Sequence, residues 1–110
     1  MNPIPSKLKK ELSKDPYYKR CFLTGFTAFK IDFHHCCTYQ GKQINEKWNI
    51  LPIWWRKHSP YGDEDSVHNC KKTKDLVELI ALKRATKKDL QKYRKANLEQ
   101  RLKYLNNKYN

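Results

Sequence analysis

All four histidines of this chain lie between positions 34 and 68, and the most apolar stretch, Trp48 to Trp55, separates the adjacent pair His34-His35 from His58 and His68. Neutral imidazole is the commonest nitrogen ligand for a divalent metal and is also suited to general-base work near neutral pH. Adjacent histidines can therefore divide those two jobs. A fold that uses them together must return the chain from the end of one apolar segment to the end of another.

At 110 residues the chain is expected to be one domain, small enough that peripheral helices must help to close its core. Its 24 Lys+Arg against 11 Asp+Glu give a formal net charge of +13. That imbalance points to a polyanion partner, nucleic acid first, although a merely soluble basic domain has the same composition. No apolar run approaches a membrane span, and the N-terminal residues Met1 to Lys7 lack the hydrophobic region of a secretory signal. An intracellular, cytoplasmic protein with no membrane partner is expected. The four cysteines, Cys21, Cys36, Cys37 and Cys70, have no C-x-x-C spacing and read as small buried residues; a cysteine-containing metal site is the minor alternative.

The pattern along the chain predicts a small α+β fold. Ser6 to Lys14 suits a short helix capped by Ser6, with Leu8 and Leu12 on one face, ended by Asp15-Pro16. Cys21 to Phe26, broken by Gly25, suggests a tight turn between two short strands, the second running from Phe29 to Phe33 and delivering His34 and His35 at its end. Thr38 to Lys47 reads as a loop. Trp48 to Trp55 suits a buried strand in which Pro52 must take an edge or a bulge.

Ser59 to Asp63 is a turn by composition, and Asp65 or Ser66 is placed to cap a helix carrying Val67, Leu76, Val77, Leu79, Ile80 and Leu82, with His68 in its first turn. Thr86-Lys87-Lys88-Asp89 has the spacing of a capping box. From there Leu90, Tyr93, Leu98, Leu102, Leu105 and Tyr109 recur at helical intervals. From Lys71 onward 13 basic residues face four acidic ones, so the tail reads as a basic amphipathic helix. The resulting division is residues 1–20 as a helical extension, 21–85 as the core and 86–110 as the basic C-terminal helix.

The order strand, His-His, loop, Asn, apolar segment, His, helix resembles the HNH, or His-Me finger, endonucleases. The resemblance runs from Cys21 to about Arg84. It is carried by Asp32-Phe33-His34-His35, by Gln43 to Ile53 around Asn49, and by His58. His35 and Asn49 are 14 positions apart, and Asn49 and His58 nine. It implies a ββα-metal core and a metal-dependent DNA endonuclease of a small, phage-type kind. His35 would be the general base, with Asn49 orienting it or supporting the site, and His34 and His58 would be metal ligands. The final ligand departs from the family pattern, because Pro60, Tyr61 and Gly62 occupy the interval where it usually falls. His68 is the candidate, with Asn69 or Asp63 as substitutes. Magnesium is the expected ion by abundance, whereas a nitrogen-rich site prefers manganese, nickel or zinc.

Lys42, Lys47, Arg56 and Lys57 adjoin these residues and are candidate phosphate contacts, though exposed basic residues are equally common as solvated surface. Trp48, Trp54 and Trp55 could stack on bases, but their apolar surroundings favour core packing for at least two of them. Cys21 and Thr24 stand where some HNH proteins carry the first knuckle of a structural zinc site; threonine in the second position predicts no such zinc. Two other functions fit the same residues. One is a non-catalytic nucleic-acid-binding protein on this scaffold, and the other is a small phage-encoded inhibitor or adaptor of a host nucleoprotein.

Overall fold

Ile31–His35 (β1) and Ile50–Trp54 (β4) hold the densest β-preferring residues, and they pair as an antiparallel ladder that sets Asp32 opposite Ile53, His34 opposite Leu51 and His35 opposite Ile50. The computed structural model describes residues 3–25, 31–39 and 41–109. Among these, five helices and two small antiparallel sheets make a compact α+β fold with a Cα radius of gyration of 13.7 Å. The second sheet is a minimal hairpin of Thr38–Tyr39 (β2) and Lys42–Gln43 (β3), formed within the stretch expected to be a loop.

The helices are Ser6–Lys14 (α1), Trp55–His58 (α2), Lys71–Arg84 (α3), Lys87–Lys92 (α4) and Leu98–Tyr109 (α5). α1 stops at Asp15-Pro16 as expected, but its N-cap is Pro5 rather than Ser6. Asp15 then caps a 3-10 turn over Pro16–Lys19, its carboxylate accepting from the Tyr17 amide at 3.0 Å. The capping box at Thr86 is present in both directions: the Asp89 amide donates to Thr86 Oγ1 at 3.1 Å and the Thr86 amide donates to Asp89 Oδ2 at 2.9 Å.

Three expectations are corrected. Cys21 to Gly25 is a turn, closed by the Gly25 amide on the Cys21 carbonyl at 2.8 Å with Gly25 at φ +76°, and β1 takes β4 as its partner instead of a preceding strand. Residues 26–30, where the second expected strand would begin, lie outside the described residues. The helix after the Ser59 turn starts at Lys71, not at Asp65 or Ser66, because residues 59–70 fold back on α2. There the Asp63 amide donates to the Arg56 carbonyl at 2.8 Å and the Val67 amide to the Lys57 carbonyl at 2.7 Å. The C-terminal stretch is not one helix either. A 3-10 turn at Arg94–Ala96 and a left-handed Asn97 at φ 55° separate α4 from α5, a conformation that asparagine tolerates better than most residues.

β4 is buried along Ile50 to Ile53, and Pro52 is accommodated because each strand of a two-stranded sheet is an edge. On its outer side the Pro52 carbonyl accepts from the Phe22 amide at 3.1 Å. Leu51 and Ile53 pack with Cys21, Val67, Val77 and Ala81, joining the sheet to α3. Ile50 packs with Leu12 and Tyr18. Trp48 belongs to a third group with Leu79, Leu82, Leu90, Leu98 and Leu105, which settles it as core, and Trp54 is half-buried against the sheet cluster. The four cysteines are unpaired, and among the described residues no helix is long and apolar enough to cross a membrane.

α3 and α5 are clasped through a buried carboxylate. Asp75 receives Arg101 Nη2 at 3.2 Å and the Tyr109 hydroxyl at 2.9 Å, while Arg101 Nε donates to Glu78. Part of the positive charge of the C-terminal helix is thus spent internally.

Candidate metal centre

The regular ladder of β1 sends alternate side chains to opposite faces, so Asp32 and His34 share one face while Phe33 and His35 share the other. α2 starts directly after β4 and carries His58 on its last residue, and the turn ahead of α3 carries His68. Together these elements bring His34, His58 and His68 into one group, with one ring nitrogen of each within 4.8 Å of the others. His34 Nδ1 is 3.2 Å from His58 Nε2, and His68 Nε2 is 3.3 Å from the same atom.

Asp32 orients the group. Its Oδ2 lies 3.0 Å from His58 Nδ1, so a neutral His58 donates Nδ1–H to the carboxylate and turns the lone pair of Nε2 toward His34 and His68. One lone pair cannot serve two neighbouring nitrogens as well as a cation serves all three, and the donor set therefore fits a metal ion. Burial pushes His34 down to about 3, with charge on His58 and His68 adding to the effect; burial also lowers His68. Both imidazoles thus favour the neutral form, the one a metal ion would require. His34 is buried, His58 half-buried and His68 exposed, so the group opens to solvent on the His68 side.

His35 stands outside this group. Its Nε2 is 2.7 Å from Asn45 Oδ1, and Asn45 Nδ2 donates to the Pro3 carbonyl at 3.1 Å. Asn49, wholly buried, accepts from the Cys37 amide at 2.7 Å and donates to the carbonyls of Cys37 at 3.0 Å and Ile44 at 2.9 Å. Its own carbonyl accepts from the Cys36 amide at 3.0 Å. Asn49 thereby pins the chain just after the His34-His35 pair against the segment that leads into β4.

The two substitutes for the last ligand have other work. Asp63 pairs with Arg56 at 2.8 Å and Lys57 at 3.2 Å, and Asn69 Nδ2 donates to the carbonyls of Pro60 and Asp63, each at 3.0 Å. His68 is the residue from that region that reaches the group. The basic candidates are similarly engaged: Lys47 pairs with Asp15 at 2.7 Å, Arg56 with Asp63, and Lys57 also with Asp65 at 2.8 Å. Lys42 is exposed on β3. The basic residues that border the centre are others. Lys9 and Ser13 of α1 line a cleft with Asp32, Phe33 and His58, and Lys74 of α3 lines a second one with His68.

Sequence reasoning missed Asp32 as a site residue although the signal was there, since a residue two before His34 on a strand must share its face. Asn45, Lys9 and Lys74 had no such signal, because each arrives from an element whose docking the local pattern does not specify. Compared with known protein families, curated proteins and solved structures, the chain matches none.

Proposed function

We propose that this protein is a metal-dependent DNA endonuclease of the HNH, or His-Me finger, type, with β1, β4 and α2 as its ββα-metal core. The observation that carries the reading is the convergence of His34, His58 and His68, with Asp32 behind His58 and with His35, next to His34 in the chain, left outside the cluster. A ligand and a general base have opposite needs: one gives its lone pair to the ion, and the other must keep it for a proton. His34 and His35 leave the end of β1 on opposite faces, so in this reading the two reach one phosphate around the last residue of the strand.

In the proposed reaction His35 takes a proton from water, the water oxygen forms a bond to phosphorus, and the bond from phosphorus to the 3′ oxygen breaks. The resemblance to the family implies this leaving group. An ion on the three imidazoles would supply charge stabilisation to the phosphate oxygens and the departing oxygen. Three neutral nitrogen donors suit zinc, nickel or manganese better than magnesium, which prefers oxygen ligands, although magnesium is the most abundant candidate in a cell. The net charge of +13 supports a nucleic-acid substrate, with Lys9 and Lys74 lining the clefts that hold His58 and His68.

The test is incubation of supercoiled plasmid with wild type, His35→Ala and His58→Ala, each with Mg²⁺, Mn²⁺, Ni²⁺, Zn²⁺ or EDTA. Nicking or linearisation by wild type that needs the ion and is lost in both variants supports the nuclease. A salt-sensitive gel shift with no cutting in any metal would replace it with a non-catalytic nucleic-acid-binding protein.

A further inference from the structure

The contact between His35 and Asn45 has a direction that the hydrogen-bonding groups themselves dictate. A primary amide has one end that only accepts and one end that only donates. The Asn45 Nδ2 end is committed to the Pro3 carbonyl at 3.1 Å, and a carbonyl can do nothing but accept. Turning the amide over would set Oδ1 against that carbonyl, two lone-pair oxygens in contact, and is disfavoured. The Oδ1 end must therefore face His35, and at 2.7 Å the hydrogen between them belongs to His35 Nε2. A neutral imidazole carries a single N–H, so the lone pair is left on Nδ1.

We propose that Asn45 is a positioning residue that holds His35 as the Nε2–H tautomer in one ring orientation, leaving Nδ1 as the basic nitrogen. This rests on the reading of His35 as the general base. With Nε2–H committed to Asn45, Nδ1 is the ring nitrogen left to receive a proton. When it takes one from water, the Nε2–H donation to Asn45 is unchanged, and the ring need not reorient during the step. A neutral amide suits this work because it accepts from Nε2–H in both charge states of the ring. The brace reaches back to the N-terminal arm, where Pro3 and Pro5 restrict the backbone around the carbonyl that anchors Asn45.

The first readout is independent of cleavage: long-range ¹H–¹⁵N correlation spectra of the imidazoles at pH 8 in the full chain. Wild type should show His35 wholly as the Nε2–H tautomer, with an Nε2 proton protected from solvent exchange. Asn45→Asp, which keeps the oxygen that accepts from His35 but loses the donation to the Pro3 carbonyl, should retain that proton with faster exchange than wild type, and Asn45→Ala should lose it. An Nδ1–H tautomer in wild type, or an Nε2 proton that exchanges as fast in wild type as in Asn45→Ala, overturns the proposal. The second readout is plasmid cleavage, where Asn45→Ala should lower kcat about 10- to 100-fold at unchanged KM and metal affinity, with Asn45→Asp restoring part of it. An unaltered kcat in Asn45→Ala also overturns it. If wild type cuts nothing, the nuclease reading fails, while the spectra still decide the tautomer.

Discussion

Asp32 and His58 face each other across the β1 and α2 junction with Oδ2 and Nδ1 3.0 Å apart, and this contact decides which nitrogen His58 offers to His34 and His68. A carboxylate behind a ligand imidazole fixes its tautomer and raises its basicity. Asp32→Ala is therefore expected to weaken metal binding about 10- to 100-fold while leaving the fold intact. Calorimetric titration with Zn²⁺ or Ni²⁺ measures this, and an affinity equal to wild type would remove Asp32 from the site.

The three candidate ligands are not equal in exposure, and their loss should not be equal in effect. His34→Ala and His58→Ala are expected to abolish stoichiometric metal binding, whereas His68→Ala, which removes the exposed ligand, should leave a weaker site. Cobalt substitution offers an optical check. A d–d spectrum that survives His34→Ala would place the ion elsewhere.

Asn49 satisfies three backbone groups in a fully buried position. Asn49→Ala removes all three bonds, leaving the Cys37 carbonyl only the long contact with the Ile44 amide at 3.4 Å, and is expected to cost about 3 kcal/mol of stability. Urea denaturation monitored by tryptophan fluorescence reads the loss, and a change below about 1 kcal/mol would mean that water replaces the side chain.

Gly62 is packed against the backbone of α2 so closely that an added Cβ would lie 2.3 Å from the Arg56 carbonyl oxygen. Gly62→Ala must push the 59–70 turn away from α2, at about 2 kcal/mol. Because that turn carries His68 and α2 carries His58, metal affinity is expected to fall with stability. Serine in place of glycine should behave as alanine does, since the clash is at Cβ.

In metal-free protein, burial depresses His34 to about 3, against an ordinary imidazole value near 6.5. Between those values the unfolded chain binds a proton that the folded chain refuses, so stability rises with pH across that window and is lost on acidification below about pH 6.5. One such group contributes a slope of at most about 1.4 kcal/mol per pH unit. Urea midpoints in EDTA from pH 7 to pH 4 should fall, and the fall should flatten in His34→Phe.

The end of α1, the Thr86 box and the apolar strand at Ile50 to Trp54 were legible because each depends on neighbours within a few residues: Asp15-Pro16 stops the helix, Thr86 and Asp89 bond each other, and the strand is a run of β-preferring residues. The pairing of β1 with β4 joins Phe33 to Pro52, 19 positions on, and carries no such local mark. The turn at Cys21 to Gly25 misled because a short apolar run beside a glycine suits a strand and a packed turn equally. The start of α3 was misplaced for a related reason. Asp65 and Ser66 are good caps, but backbone bonds from Asp63 and Val67 to α2 outweigh that local preference. The ion pairs that engage Lys47, Arg56 and Lys57 were invisible because their acids lie in other loops or were weighed only as ligand substitutes.

His34 and His58 are 24 residues apart in the chain, and His58 and His68 are 10. An ion held by all three would tie two loops together in a protein whose cysteines are all free, and because it binds the folded chain and not the unfolded one, its binding energy would add directly to the stability of the fold. Loading would then be felt far from the centre, as slower global opening and a longer half-life against protease.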